Sequence, residues 1–249
     1  MFINDIHIFY YIGIGILGLI IGRVLGLVNE NLSQHKTIFS INSIKEYIKN
    51  TKANYISMLI ISCIYVLLLG IIGVEDKLKL IQFIVLSPML VSAFCIDYKL
   101  QIIPNRLTIT MWEIGIIFSF IRGLNNLNVA IEMWIGMFVG AGIFFLLTFI
   151  GNIVFKKETM GFGDVKLMGA LGLYFGFRSI IAIAILAFFI AALYSTILII
   201  KNHIKKQDIE EFIPFGPFIV LASFIVIFVP FDVLIKITFW VFTLGTYNN

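Results

Sequence analysis

Gly161-Phe162-Gly163-Asp164-Val165-Lys166-Leu167 opens a run of small and apolar residues that continues through Gly169-Ala170-Leu171-Gly172 to Gly176. A carboxylate set between glycines at the mouth of such a run is costly if the run enters lipid, and acids in that position are kept for a reason. A second acid stands upstream. Asp97 closes another apolar run, in Ile96-Asp97-Tyr98-Lys99-Leu100-Gln101-Ile102-Ile103-Pro104-Asn105.

Working outward, the rest of the chain has the composition of a membrane protein. Of its 249 residues 60% are AVILMFWYC and only 13% are charged, with a mean hydropathy of +1.04. A soluble domain is nearer half apolar and a quarter charged, so a polytopic membrane protein is expected and a large extramembrane domain is not. The charge-free runs are 8–22, 53–74, 80–96, 133–155, 179–200 and 212–231. Two more are interrupted: 105–121 by Glu113, and 162–177 by Asp164 and Lys166 near its start. At about 20 residues per span, these runs predict an all-α bundle of about eight transmembrane helices. The sixth is short and rich in small residues, and 233–243 is too short to count as a ninth. The first run lacks a basic leader and a small-residue cleavage site, so it reads as a retained helix rather than a signal peptide.

Charge orients the chain. Loops 29–52, 97–106, 152–166 and 201–211 hold twelve basic residues, against four (Lys77, Lys79, Arg122 and Arg178) on the other side. The positive-inside rule makes the richer side cytoplasmic. The sequence pI near 9.0 is therefore a matter of topology, and no nucleic-acid partner is expected. Asp97 and Asp164 then fall on the same, cytoplasmic face. The polar segment 29–52 carries Ile41, Ile44, Tyr47 and Ile48 at helical spacing with Lys45, Glu46 and Lys49 between them. It reads as an amphipathic helix on the inner membrane surface; a cytoplasmic site for a substrate or partner is the bolder alternative. Cys63 and Cys95 form no C-x-x-C pair, and His7, His35 and His203 are scattered, so no metal is expected.

Two carboxylates on one face can share a proton. The ionised one takes a proton from water while the protonated one polarises a scissile carbonyl, and like charges at close range cannot both ionise. The pair titrates as a unit, so neither role belongs to one residue. Gly161 and Gly163 would let an extended substrate approach the backbone beside Asp164. Pro104 holds Ile103 extended and separates the third span from the fourth. Taken singly, Asp164 reads as a helix cap and Asp97 as an interface marker; together, on one face, they read as a site.

These residues resemble those of the type 4 prepilin peptidases, which are G-x-G-D intramembrane aspartyl proteases. The resemblance runs from about Ile81 to Val220. It comprises Asp97 with Ile103-Pro104-Asn105 and Leu107-Thr108, the Gly161–Gly176 run, and Ile213-Pro214-Phe215-Gly216-Pro217-Phe218. It implies a membrane-embedded aspartyl peptidase over 53–249, preceded by a first transmembrane helix (1–28) and a short cytoplasmic segment (29–52). It implies Asp97 and Asp164 as the catalytic pair, with Gly161 and Gly163 as motif residues. The implied substrates are prepilin or pseudopilin precursors, cut just after a glycine at the cytoplasmic face of the bacterial inner membrane. Each has a short basic leader and an apolar helix held in lipid. No cofactor is implied for proteolysis. Family members also methylate the new N-terminal amine with S-adenosylmethionine. In this chain the segment after the first helix is short and free of zinc-binding cysteines, which leaves methylation an open alternative.

Other polar residues have two readings each. Glu113 either attracts the leader's basic residues or faces neighbouring helices as a neutral or hydrogen-bonded acid. Lys166 either tunes the dyad or snorkels to the interface. Pro88 is expected to kink the third span and help open a substrate path. Gly136, Gly140 and Gly142 are expected to allow close helix contact. The rival function from another class is a small proton- or cation-coupled transporter, which internal repeats would favour; a non-catalytic scaffold is the third.

Overall fold

A computed structural model describes residues 2–3, 6–33, 55–156, 160–205, 213–229, 233–234 and 236. Most of segment 29–52 and of the 233–243 tail lies outside the described residues, as does the expected amphipathic helix. The chain divides into two compact units, Met1–Ala130 and Ile131–Asn249.

The first unit holds α1 (Ile8–Ser33), α2 (Tyr55–Ile72), α3 (Lys77–Leu100) and α4 (Asn105–Asn125), after a two-residue pairing of Phe2–Ile3 with Ile6–His7. Lipid and protein interior are equally apolar, so these helices associate by close packing and hydrogen bonding rather than by hiding apolar surface from water. Glycines of α1 let α2 approach closely. A methyl group on Gly18 would stand 2.6 Å from Ser62 Cα, and one on Gly22 would stand 2.5 Å from Met58 Cα. The Ser57 hydroxyl donates to the Gly22 carbonyl and the Ser62 hydroxyl to the Gly15 carbonyl, each at 2.9 Å.

At the start of α3 the Asp76 carboxylate accepts from the Lys79 backbone N–H at 2.9 Å. Its other oxygen pairs with Arg122, in the last turn of α4, at 2.7 Å, and Arg122 also donates to Gln82 at 3.3 Å. This clip ties the start of α3 to the end of α4, at the opposite end of α3 from Asp97. Asp76→Ala removes a cap and an ion pair and is expected to cost about 1–2 kcal/mol. Arg122→Ala leaves the cap in place and removes the partly exposed pair and the longer bond to Gln82, and is expected to cost about 1 kcal/mol or less. Thermal unfolding of the two variants in detergent checks that order.

The second unit holds α5 (Leu127–Phe155, entering from the end of the first), α6 (Phe162–Lys205) and α7 (Gly216–Phe228). α6 is two limbs. At Gly176 the backbone takes φ 74 and ψ 178, a combination open to glycine and closed to other residues. The chain turns back there, as its contacts with α5 show. A methyl group on Gly136 would meet the Gly172 carbonyl and Gly176 carbonyl carbon, each at 2.6 Å. One turn along α5, a methyl group on Gly140 would meet the Met168 carbonyl at 2.6 Å and Ile180 Cγ1 at 2.9 Å. In a straight helix, residues 168 and 180 would lie about 18 Å apart. The limbs therefore form a hairpin, the first antiparallel to α5 and the second parallel to it.

Split at Gly176, α6 supplies the expected sixth and seventh segments, so each of the eight apolar runs has its own helix or limb. Among the described residues six of seven helices are long and apolar enough to cross a membrane, α6 counted whole, and α7 is a shorter apolar helix. The first limb is roughly 20 Å long at 1.5 Å per residue, short of the roughly 30 Å of hydrocarbon that a full span crosses. It is buried on every face: Leu167, Met168, Ala170, Leu171 and Leu173 are all 0% exposed. Of the three glycines expected to make close contacts on α5, Gly136 and Gly140 do; Gly142 has nothing within 4 Å.

Candidate active site

Asp97 lies in the last turn of α3 and is 4% exposed. Its backbone carbonyl accepts the N–H of Gln101 at 2.8 Å, and Gln101, at φ 56, stops the helix in the left-handed conformation. An aspartate stabilises a helix from its N-terminal end, where N–H groups lack partners; at the C-terminal end it faces exposed carbonyls and the negative pole of the helix. Capping therefore does not account for Asp97. Ile102 and Ile103 lie outside the helices, and Pro104, extended at φ −62 and ψ 131, caps the start of α4. The Pro104 carbonyl accepts from the Leu107 and Thr108 N–H groups at 3.0 and 3.3 Å. The Thr108 hydroxyl donates to the Asn105 carbonyl at 3.0 Å. Pro104 thus separates the third and fourth spans, as the sequence indicates, and one corner of the first unit carries Asp97 and the Ile103–Thr108 stretch.

Asp164 belongs to the second unit and occupies the opposite kind of position. α6 begins at Phe162, so Gly161 holds the N-cap place, Gly163 is the second helical residue and Asp164 the third. The Asp164 N–H donates to the Gly161 carbonyl at 3.1 Å. A methyl group on Gly161 would stand 3.5 Å from Asp164 Oδ2, so the carboxylate lies back over this glycine. Asp164 is 7% exposed. Its place in the first turn suits an anion, but it is not the N-cap residue. The Lys166 ammonium turns back toward the start of the limb and lies over the Phe162 ring, 5.2 Å from its centre, a cation–π contact. That is the direction expected of a lysine reaching for an interface.

The third motif comes to the same end of the second unit. Gly140 opposes Met168, so one further turn along each antiparallel helix brings Phe144 level with Asp164. Phe144 is wholly buried. Its ring lies 5.8 Å from that of Phe215 and 5.6 Å from that of Phe188 on the second limb, and Phe188 and Phe215 are 4.9 Å apart. Phe215 also meets Phe218 at 6.1 Å. Such tilted aromatic contacts fix side-chain direction as well as burying area. They seat Pro214-Phe215-Gly216-Pro217 against α5 and the hairpin. Nothing local in the sequence marks Phe144 or Phe188 among 25 phenylalanines; only the hairpin brings them to Phe215.

Glu113 departs from the inward-facing expectation. It is exposed on the side of α4 that also exposes Ile109, Ile117 and Phe120, while Leu107, Thr108, Met111, Gly115, Phe118 and Ser119 form the buried side. The periodicity of 3.6 puts residue 113 opposite that buried stripe. Among the described residues no group of three or more His, Cys, Asp or Glu side chains could hold a metal ion.

Comparison with known proteins covers this region. The sequence profile of the type IV leader peptidase family matches residues 84–196, which include both aspartates. The chain is 30% identical over 149 residues to leader peptidase HopD of Escherichia coli, covering 59% of this chain and 92% of that protein. It is 28% identical over 143 residues to the prepilin leader peptidase/N-methyltransferase of Aeromonas salmonicida, covering 57% of this chain and 47% of that protein. To its namesake from Xanthomonas campestris pv. campestris it is 31% identical over 146 residues, covering 58% and 48%. The chain thus spans about half the length of these two-activity relatives. No solved structure matches it.

Proposed function

This chain belongs to the type IV leader peptidase family, and we propose that it is an aspartyl endopeptidase that removes the basic leader of prepilin or pseudopilin precursors. The observation that carries the proposal is Asp97: a buried carboxylate at the C-terminal end of an apolar helix, where capping gives it no reason to be. Asp164, the second buried acid, lies in the same family match and is its partner in the reaction. One carboxylate, ionised, takes a proton from a water molecule as the water oxygen attacks the scissile carbonyl carbon. The other, protonated, donates to the carbonyl oxygen. When the C–N bond breaks, a proton passes to the departing nitrogen, and a free carboxyl and a free amine result. The site works as a dyad with one shared proton.

The substrate's leader would meet the enzyme at the cytoplasmic face, where the positive-inside count puts both acids. Gly161 and Gly163 leave room for an extended backbone beside Asp164. Pro104 sets the corner that presents Asp97, and Lys166 stays beside the reacting centre against Phe162. A substrate anchored by its own helix arrives sideways through lipid. Glu113, on the outer side of α4, is placed to meet a basic side chain on that route. Proteolysis by this chemistry needs no cofactor. Relatives that this chain about half covers are named N-methyltransferases as well as peptidases; the peptidase step is the one argued for this chain, and methylation stays an alternative.

The test uses the full chain, purified in detergent, with a precursor bearing a basic leader, a glycine at the junction and an apolar helix. Cleavage after the glycine is expected without added metal and in the presence of a chelator. The product's mass, measured with S-adenosylmethionine supplied, decides whether a methyl group is added. Failure to cleave, together with proton or cation uptake into vesicles holding the protein, would replace this reading with the transporter. A methylated product would add the second activity.

A further inference from the structure

Pro88 stands inside α3, which runs unbroken from Lys77 to Leu100 and carries Asp97 in its last turn. A proline in a helix interior has no N–H for the carbonyl four residues back, and its ring pushes against that carbonyl. In α3 the carbonyl so deprived is that of Ile84. The Tyr65 hydroxyl, from α2, donates to it at 2.9 Å. Tyr65 is 0% exposed, so this donor arrives from a neighbouring helix through the packed interior, where water is a poor substitute.

We infer that Tyr65 is a positioning residue for Asp97: its hydroxyl replaces the hydrogen bond lost at Pro88 and holds the 89–100 half of α3 in one direction. The support behind Tyr65 is firm. α2 is tied to α1 by the Ser57–Gly22 and Ser62–Gly15 hydrogen bonds and by backbone contact at Gly18 and Gly22. Tyr65 therefore transfers the rigidity of the α1–α2 pair to the one turn of α3 that lacks its own bond. The Ser87 hydroxyl braces the turn alongside by donating to the Phe83 carbonyl at 2.6 Å, but it leaves the Ile84 carbonyl to Tyr65. Asp97 is nine residues, about 14 Å, beyond Pro88 along the helix. A small change of direction at Pro88 is magnified over that length, and displacement of a reacting group by about 1 Å can cost about a hundredfold in rate. The defect that Pro88 leaves in α3 is thus filled from outside the helix.

The inference rests on the peptidase reading for its rate effect but not for its structural effect, and the experiment separates the two. Tyr65→Phe keeps the ring and removes only the donor. It is expected to lower kcat for leader cleavage about tenfold with little change in KM. Pro88→Ala, added to Tyr65→Phe, supplies the missing N–H within α3 and should return kcat to near the parent value, while Pro88→Ala alone stays close to parent. In parallel, deuterium uptake over residues 84–97 should rise in Tyr65→Phe and return in the double variant. An unchanged kcat and unchanged uptake in Tyr65→Phe would overturn the inference. So would a loss that Pro88→Ala does not repair, because the hydroxyl would then matter for some reason other than the bond missing at Pro88. If the parent chain cleaves nothing, the peptidase reading fails on its own, and the uptake pattern still decides whether Tyr65 holds α3.

Discussion

Asp97→Asn and Asp164→Asn are each expected to insert and fold like the parent chain and to lose leader cleavage by at least about 10³-fold. An amide matches a carboxyl in shape but cannot ionise to activate water, nor share a proton across a dyad. Because the two acids act as one unit, either substitution should cost nearly as much as both together. Stability should move differently. An acid at the C-terminal end of α3 opposes the helix dipole, so Asp97→Asn should leave the unfolding temperature unchanged or raise it. Asp164 sits in the first turn of α6, where the dipole favours it, and its replacement should cost up to about 1 kcal/mol. Activities that fall together while stabilities part are the signature of a catalytic pair. If either variant still trims the precursor at an appreciable rate, the aspartyl mechanism is wrong.

Gly172→Ala is expected to break the hairpin. A methyl group there would run into the backbone of Gly136 and Met137 on α5, and backbone cannot swing aside as a side-chain tip can. Overpacking a well-filled interior costs about 1–3 kcal/mol when side chains can adjust; against backbone the cost should lie at or above the top of that range. The first limb would separate from α5, and the Asp164 end would shift with it. Gly142→Ala is the matched control. It has open space around it and should gain up to about 1 kcal/mol, since alanine is the better helix former. Unfolding temperatures in detergent, followed with cleavage rates, should show Gly172→Ala failing in both and Gly142→Ala in neither. Normal stability in Gly172→Ala would mean that the limbs are not packed through this glycine.

Much of the helix inventory was legible because a span needs a length of apolar chain. Charge marks the ends: Arg178 separates the runs on either side of the Gly176 turn, within two residues of where the backbone reverses. Pro104 marks the α3–α4 corner for a local reason, its fixed φ. The two aspartates were legible because acids at the ends of apolar runs are rare enough to be noticed. Glu113 was legible as an acid but not as a direction. On α4 the residues toward the interior and toward the outside are both largely apolar, so hydropathy does not tell the faces apart. The Tyr65–Ile84 bond and the Phe144–Phe188–Phe215 contacts join residues from separate helices and leave no periodic trace.

By itself, then, the sequence determined that this chain is a set of membrane helices, roughly where each begins and ends, and which acids and glycines stand at the ends. Tertiary structure alone decided that α6 doubles back at Gly176, that Phe215 rests on Phe144 and Phe188, that Tyr65 supplies the bond Pro88 lacks, and that Glu113 points outward. The physical reason is the solvent. In water the apolar side of a helix announces the face that will be buried, whereas in a bilayer both faces are apolar and only close fit and hydrogen bonding select the partner.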